Sequence, residues 1–349
     1  MPDETSQRSA AAPAPKRVNL ALQGGGAHGA FTWGVLDRLL EDTRLSFEGV
    51  SGSSAGAING AVMAQGLMEG GPAAARAKLH EFWQRVSARQ LLSPLAATPF
   101  ERALYGYDLS WSLGYQIFDQ VTRLFSPYQF NPLDLNPLRD VLADTIDPVR
   151  LRRASAVKLF ISATNVQTGK ARVFRHDELS VDVLMASACL PFLFRAVHIE
   201  GEDYWDGGYL GNPALWPMFH ACGSSDIVLV AINPVARPAL PITAPDILNR
   251  LNEITFNSAL VAELRAIEFV QRLLDEGRVE DGRYKRLFMH VIEDEAHMQT
   301  HNVSSKFNAD WGFLRSLFDR GRAAAGTWLE DHFDQVGQAA TVDLRERYL

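Results

Sequence analysis

Cysteine is scarce in this sequence: among 349 residues there are two, Cys189 and Cys222, far apart and without a CxxC pair or a Cys/His cluster. That excludes a disulfide framework and a zinc site, and both read as small buried hydrophobes. No run of eighteen apolar residues occurs, so no segment is expected to cross a membrane as a helix. Runs of five like charges are also missing and the formal net charge is −7, which argues against a nucleic-acid partner. The first residues lack the apolar stretch of a secretory signal, and their Ala, Pro, Ser and charge predict a disordered tail over 1–16. The expected address is cytoplasmic, with peripheral membrane contact left open, and no metal or cofactor is expected.

What is present is apolar residue in quantity, 47% against 21% charged, enough for one large core or two modest ones. Arg17–Gln23 is a short apolar run before three glycines, and Ala30–Thr43 carries apolar residues at helical spacing. Phe47–Ser51 reads as a second strand and Ala55–Leu67 as a helix of small residues that can lie close to a sheet. Further strands are expected at Lys158–Val166, Ala171–Arg175, Asp226–Pro234 and Arg286–Glu293, with one alternating strand at Ala196–Trp205. Strands alternating with helices predict an α/β fold with a parallel sheet covered by helices. Two stretches fit less well. An insertion at about 91–135 holds nine aromatics between Phe100 and Phe130, broken by Xaa-Pro pairs and expected to pack inward as a helical cap. The segment 236–349 reads as a mainly helical extension on the same core, with Trp311, Leu314, Leu317 and Phe318 on one helix face.

GSSAG (Gly52–Gly56) matches G-x-S-x-G between a predicted strand and a predicted helix, the context that this motif requires. A sharp turn there strains the central Ser54 and holds its hydroxyl outward, while flanking Gly52 and Gly56 let backbones pass closely. The helix N-terminus points amide dipoles at the same spot. Ser51 and Ser53 are expected to hydrogen-bond the turn.

The loop QGGGAHGA (Gln23–Ala30) also joins a strand to a helix. As a dinucleotide fingerprint it lacks a well-placed acidic residue, since Glu48 begins its strand rather than ending it; as a Walker loop it lacks Lys-Ser or Lys-Thr. The third reading makes the amides of Gly24, Gly25, Gly26 and Ala27 an oxyanion hole beside Ser54, at the carboxyl edge of the sheet.

A nucleophilic serine needs a base. His220, His290, His297 and His301 lie downstream, but His290 reads as a satisfied core histidine and the others sit in unremarkable contexts. His28, in the glycine loop, is a supporting candidate. Asp206 is more pointed: it precedes Gly207 and Gly208 at the end of a strand with aromatics on both sides, and apolar surroundings would strengthen it as a base.

In this order, GGGAHG (Gly24–Gly29), GSSAG around Ser54, SACLPFLF (Ser187–Phe194) and DGG (Asp206–Gly208) resemble the patatin-like phospholipase family over roughly 17–235. The resemblance implies a three-layer α/β/α sandwich with a mostly parallel sheet. It also implies a Ser-Asp dyad without histidine: Ser54 as nucleophile, Asp206 as base and the glycine-loop amides as oxyanion hole. Many members carry Arg where His28 stands, which leaves the charged helper of that loop open. The implied activity is ester hydrolysis on phospholipids or related lipids. An acyltransferase on the same dyad and a non-catalytic lipid-binding protein are the alternatives, and homo-oligomer formation stays open.

Overall fold

The computed structural model describes residues 14–90, 98–280 and 282–349. Most of the expected 1–16 tail and the first positions of the insertion, 91–97, therefore lie outside the described residues, and Lys16 already opens a strand.

The chain begins β1 (Lys16–Leu22), α1 (Gly29–Glu41), β2 (Leu45–Gly52) and α2 (Ala55–Gln90). α2 outruns its expected end at Leu67 because it is two helices in line: Gly70 and Gly71 leave helical geometry and Pro72 restarts the second. The insertion then forms α3 (Pro99–Tyr105), α4 (Leu113–Leu124) and α5 (Pro127–Phe130), followed by α6 (Pro137–Thr145) and α7 (Pro148–Ala154). Thr98-Pro99 in the insertion, and Asn136-Pro137 and Asp147-Pro148 after it, are helix starts: the side chains of Thr98, Asn136 and Asp147 cap helices whose first turn carries proline. The inward packing expected of the nine aromatics is only partial: Tyr107 packs on Phe313, and Tyr115 and Phe118 lie against Phe307. None is buried, Phe100 and Trp111 are 74% and 63% exposed, and α4 buries no residue at all.

Next come β3 (Lys158–Asn165), β4 (Ala171–Arg175), α8 (Val181–Ser187), β5 (Val197–Ile199), β6 (Glu202–Asp206), α9 (Trp216–Ala221) and β7 (Asp226–Ala231). The single strand expected at Ala196–Trp205 is a hairpin of β5 and β6. Glu200 and Gly201 both take positive φ, 53° and 89°, the geometry a two-residue hairpin turn demands. The chain closes with α10 (Ala244–Asp275), β8 (Phe288–Glu293), α11 (Glu295–Met298), α12 (Trp311–His332) and α13 (Leu344–Tyr348).

The strands form one sheet in the order β5-β6-β3-β2-β1-β7-β8, with β4 on β3. The β1–β2, β2–β3, β1–β7 and β7–β8 pairs are parallel, and the pairs involving β4, β5 and β6 are antiparallel. Alternation along the strands builds two cores. Val18, Leu20 and Leu22 of β1 and Val228 and Val230 of β7 join one face with α1, α2 and α12; Ala21, Ile227 and Leu229 join the other with α9, α10 and α13. Both faces are covered, hence the continuous apolar character of β7.

The C-terminal segment belongs to this body. β8 extends the sheet beside β7, and α12 crosses α1 so closely that a Cβ on Gly34 would stand 2.0 Å from the Phe318 carbonyl oxygen. From β1, connections run to β2 and β3 on one side and the later strands β7 and β8 lie on the other. The strand order thus reverses at β1, and the loop after its carboxyl end lies where α/β sheets place their sites.

Candidate active site

Two strands meet end to end on one edge of β3. Phe160 pairs with Ser51 of β2 and Arg175 of β4; Ala163 pairs with Asp206 of β6 and Arg172 of β4. A strand residue has one neighbour on each side, so antiparallel β6 takes over the edge that β2 leaves after Gly52. The carboxyl ends of β2 and β6 converge, and Asp206 arrives just beyond the turn that carries Ser54.

Ser54 sits at φ 52°, a left-handed conformation rare for a residue with a side chain and costing on the order of 1–3 kcal/mol. The close approach is real: a Cβ on Gly56 would lie 2.1 Å from the Leu22 carbonyl oxygen. Gly52 closes β2, and α2 starts at Ala55, so its first amides lie beside Ser54. The Ser51 hydroxyl donates to the Ala214 carbonyl at 2.5 Å and the Ser53 hydroxyl donates to that of Gly211, tying β2 to the 211–214 loop. The Ser54 amide donates to Ser187 Oγ at 2.9 Å, while Ser54 itself borders the main cavity.

Asp206 is fully buried. Its amide donates to the Cys189 carbonyl at 2.8 Å, its Oδ1 accepts the Gly208 N–H at 2.7 Å, and its carbonyl accepts the Thr164 hydroxyl at 2.8 Å. The segment Ser187–Phe194 thus holds both the serine turn and the acid's strand. Burial pushes the Asp206 pKa up to about 7, against the Gly208 N–H, the nearby Ser54 hydroxyl and the charge of Lys306, all of which favour the carboxylate. The hydroxyl is close enough to act on the acid, yet Oδ2 has no hydrogen bond of normal geometry and is left available.

The glycine loop abuts the serine turn, but its four expected donors divide. The Gly24 N–H is already given to Asn212 Oδ1 at 2.6 Å, and its carbonyl accepts from Asn233 Nδ2 at 2.8 Å, so Gly24 is a clamped packing position and not a free donor. Gly25, Gly26 and Ala27 border the cavity, with Gly26 at φ 59°. The N–H groups of Gly25 and Gly26 have no partner of their own among the described residues.

His28 turns away from the cavity. Its Nε2 lies 2.8 Å from Ser305 Oγ, its ring packs by His301 and Phe313, and burial holds its pKa well below the usual value, so it brings no charge to the loop. His290 is a core residue bonded to Asp226 at 3.0 Å and Thr341 at 3.1 Å. No histidine borders the cavity among the described residues. The cation of the site is instead Lys306, from the 3₁₀ turn Val303–Phe307, a residue that sequence reasoning passed over. No period or glycine motif marks it; only the fold brings it in.

The cavity measures about 1070 Å³ and its walls are largely apolar, with Ile58, Phe82, Trp83, Phe118, Leu193 and Phe256 among them. Such a volume, with mostly apolar walls and a few polar groups among them, suits a long apolar ligand with a reactive head. Among the described residues no helix is long and apolar enough to cross a membrane.

A family model for patatin-like phospholipases matches residues 20–218. No match is found among curated proteins. Among solved structures, VipD from Legionella pneumophila aligns with a TM-score of 0.40 at 15% identity, over 96% of this chain and 73% of that one. ExoU from Pseudomonas aeruginosa, in its heterodimeric complex with SpcU of the type III secretion system, aligns with a TM-score of 0.36 at 16% identity, over 96% of this chain and 58% of that one.

Proposed function

Because the chain belongs to the patatin-like phospholipase family, we propose that it is a lipid acyl hydrolase working through an acyl-enzyme on Ser54, with Asp206 as base. The observation that carries this reading is a strained serine beside a buried carboxyl whose Oδ2 is unbonded, both bordering a large, mostly apolar cavity.

In the first step Ser54 Oγ attacks the ester carbonyl carbon while its proton passes to Asp206 Oδ2. The carbonyl oxygen becomes an oxyanion that accepts from the Gly25 and Gly26 N–H groups. The C–O bond to the leaving alcohol breaks, and Asp206 returns the proton to that alcohol. Water then repeats the sequence on the acyl-enzyme, with Asp206 again as base. A carboxyl with pKa about 7 is a far better proton acceptor than an ordinary one near 4, which makes a histidine unnecessary. Each amide at the oxyanion is worth about 2.7–4 kcal/mol to the transition state.

The substrate enters from a lipid surface in this reading. Leu124, Phe125, Leu135 and Phe192 border the cavity and are also 50–73% exposed, a rim suited to drawing an acyl chain out of a bilayer.

Fluorophosphonate labelling tests the nucleophile: mass spectrometry should find one adduct, on Ser54, and none on Ser54→Ala. Absence of an adduct on the wild type would favour a binding protein. Product analysis with lysolipid present then separates hydrolysis from acyl transfer.

A further inference from the structure

Among the described residues the cavity wall carries four charged side chains, Asp119, Arg123, Asp206 and Lys306. Arg123 is paired with Asp119 at 2.8 Å, one helical turn away. Asp206 is the base of the proposed reaction. Lys306 remains, and its hydrogen bonds go to neutral amides: Nζ donates to Asn233 Oδ1 at 3.0 Å and to Asn252 Oδ1 at 2.8 Å. An ammonium has three N–H groups, so one has no protein acceptor among the described residues, and the side chain borders the main cavity.

The position is built rather than incidental. The Lys306 carbonyl presses on the glycine loop, where a Cβ on Gly26 would lie 2.4 Å from it. Asn233, which accepts from Nζ, also donates to the Gly24 carbonyl. Nζ stands 5.3 Å from the centre of the Phe256 ring, and that ring abuts Gly208 beside the acid. The ammonium is thus held between the two halves of the reaction centre. Burial lowers its pKa to about 8, so it stays mainly protonated at neutral pH. Glu253 and Asp206 act on this cation through space, but among the described residues no carboxylate reaches ion-pair distance of Nζ, and an incoming anion would supply that direct contact.

We infer that Lys306 is a specificity residue that receives the phosphodiester oxygens of a glycerophospholipid while Ser54 attacks the ester a few bonds away. The inference rests on the acyl-hydrolase reading but can fail separately from it.

Calorimetric titration of the full chain with octyl phosphate, 1-octanol and inorganic phosphate tests the charge. The wild type should bind octyl phosphate at least tenfold more tightly than either octanol or inorganic phosphate. Lys306→Met should lose at least tenfold in octyl phosphate affinity, with octanol affinity retained, and Lys306→Arg should keep most of the preference. A wild type without the preference over octanol overturns the inference, whatever the variants do, and so does undiminished octyl phosphate binding by folded Lys306→Met. Inorganic phosphate binding as tightly as octyl phosphate would assign the site to free phosphate and overturn the lipid role. In kinetics, Lys306→Met should lose at least tenfold more kcat/KM on dibutyroyl phosphatidylcholine than on p-nitrophenyl butyrate. Equal losses would mean that Lys306 only tunes Asp206 or the oxyanion. A wild type that shows the binding preference but hydrolyses neither ester counts against the hydrolase reading alone.

Discussion

With its folded pKa at about 7 against an ordinary value of 3.8, Asp206 is a group that the fold holds in an unfavourable charge state at neutral pH. The raised pKa sets the sign of two effects. The carboxylate is the penalised form, so the penalty is absent below about pH 4 and complete above about pH 7. Asp206→Asn keeps an oxygen for the Gly208 N–H and removes the penalty. It should be more stable than the wild type at pH 8 by on the order of 2–4 kcal/mol, and equal at pH 4, in urea denaturation. Catalysis has the opposite demand, because only the carboxylate accepts the serine proton. The kcat/KM of the wild type should fall about tenfold per unit below pH 7, and Asp206→Asn and Ser54→Ala should each lose on the order of a thousandfold or more, without adding. An Asp206→Asn variant that keeps near-normal turnover would remove the dyad.

At the scale of elements, the contact of α1 with α12 decides whether the reaction centre is complete. α12 follows the turn that carries Lys306, and it reaches α1 only because neither helix has a side chain at the crossing: Cβ atoms on Gly34 and Gly321 would lie 2.0 and 2.1 Å from the Phe318 and Phe31 carbonyl oxygens. Gly34→Ala or Gly321→Ala should cost about 2 kcal/mol or more in urea denaturation. Gly326 lies on the same helix, with nothing nearer than Arg38 Nε at 4.0 Å, so Gly326→Ala should be neutral or stabilising by up to about 1 kcal/mol. Comparable losses for all three would deny the crossing its special role. The aromatic insertion shows the reverse case. α3 starts where Pro99 and the capping Thr98 side chain dictate, yet α4 buries none of its residues fully and only brings Tyr115 and Phe118 against Phe307.

For the molecule as a whole, part of the exposed apolar surface borders the cavity: Leu124, Phe125, Leu135 and Phe192, joined from α10 by Leu248. Leu124→Asp together with Phe192→Asp should reduce hydrolysis of phospholipid in vesicles at least tenfold, through the about 3 kcal/mol or more of apolar transfer energy lost by two large side chains. Hydrolysis of monomeric p-nitrophenyl butyrate should change much less. Equal losses on both substrates would place the effect in the cavity and not at a lipid surface.

Local chemistry was legible in the amino-acid order. An apolar run, glycines and a periodic apolar stretch place β1, α1, β2 and the start of α2, and because strand, turn and helix are contiguous, Ser54 stands out at the elbow. Asp206 was legible as an acid before two glycines, though its hairpin was not, since Glu-Gly is a weak turn signal beside continuous alternation. What needed the tertiary structure was everything set by distant packing. The Gly24 amide is taken by Asn212, His28 is turned toward Ser305, five of the nine cap aromatics stay exposed, and Lys306 comes in from a polar turn 252 positions after Ser54. Hydrophobic period and turn chemistry act over a few residues, whereas burial, charge and donor availability depend on which remote atoms arrive beside a group, and only the closed fold decides that.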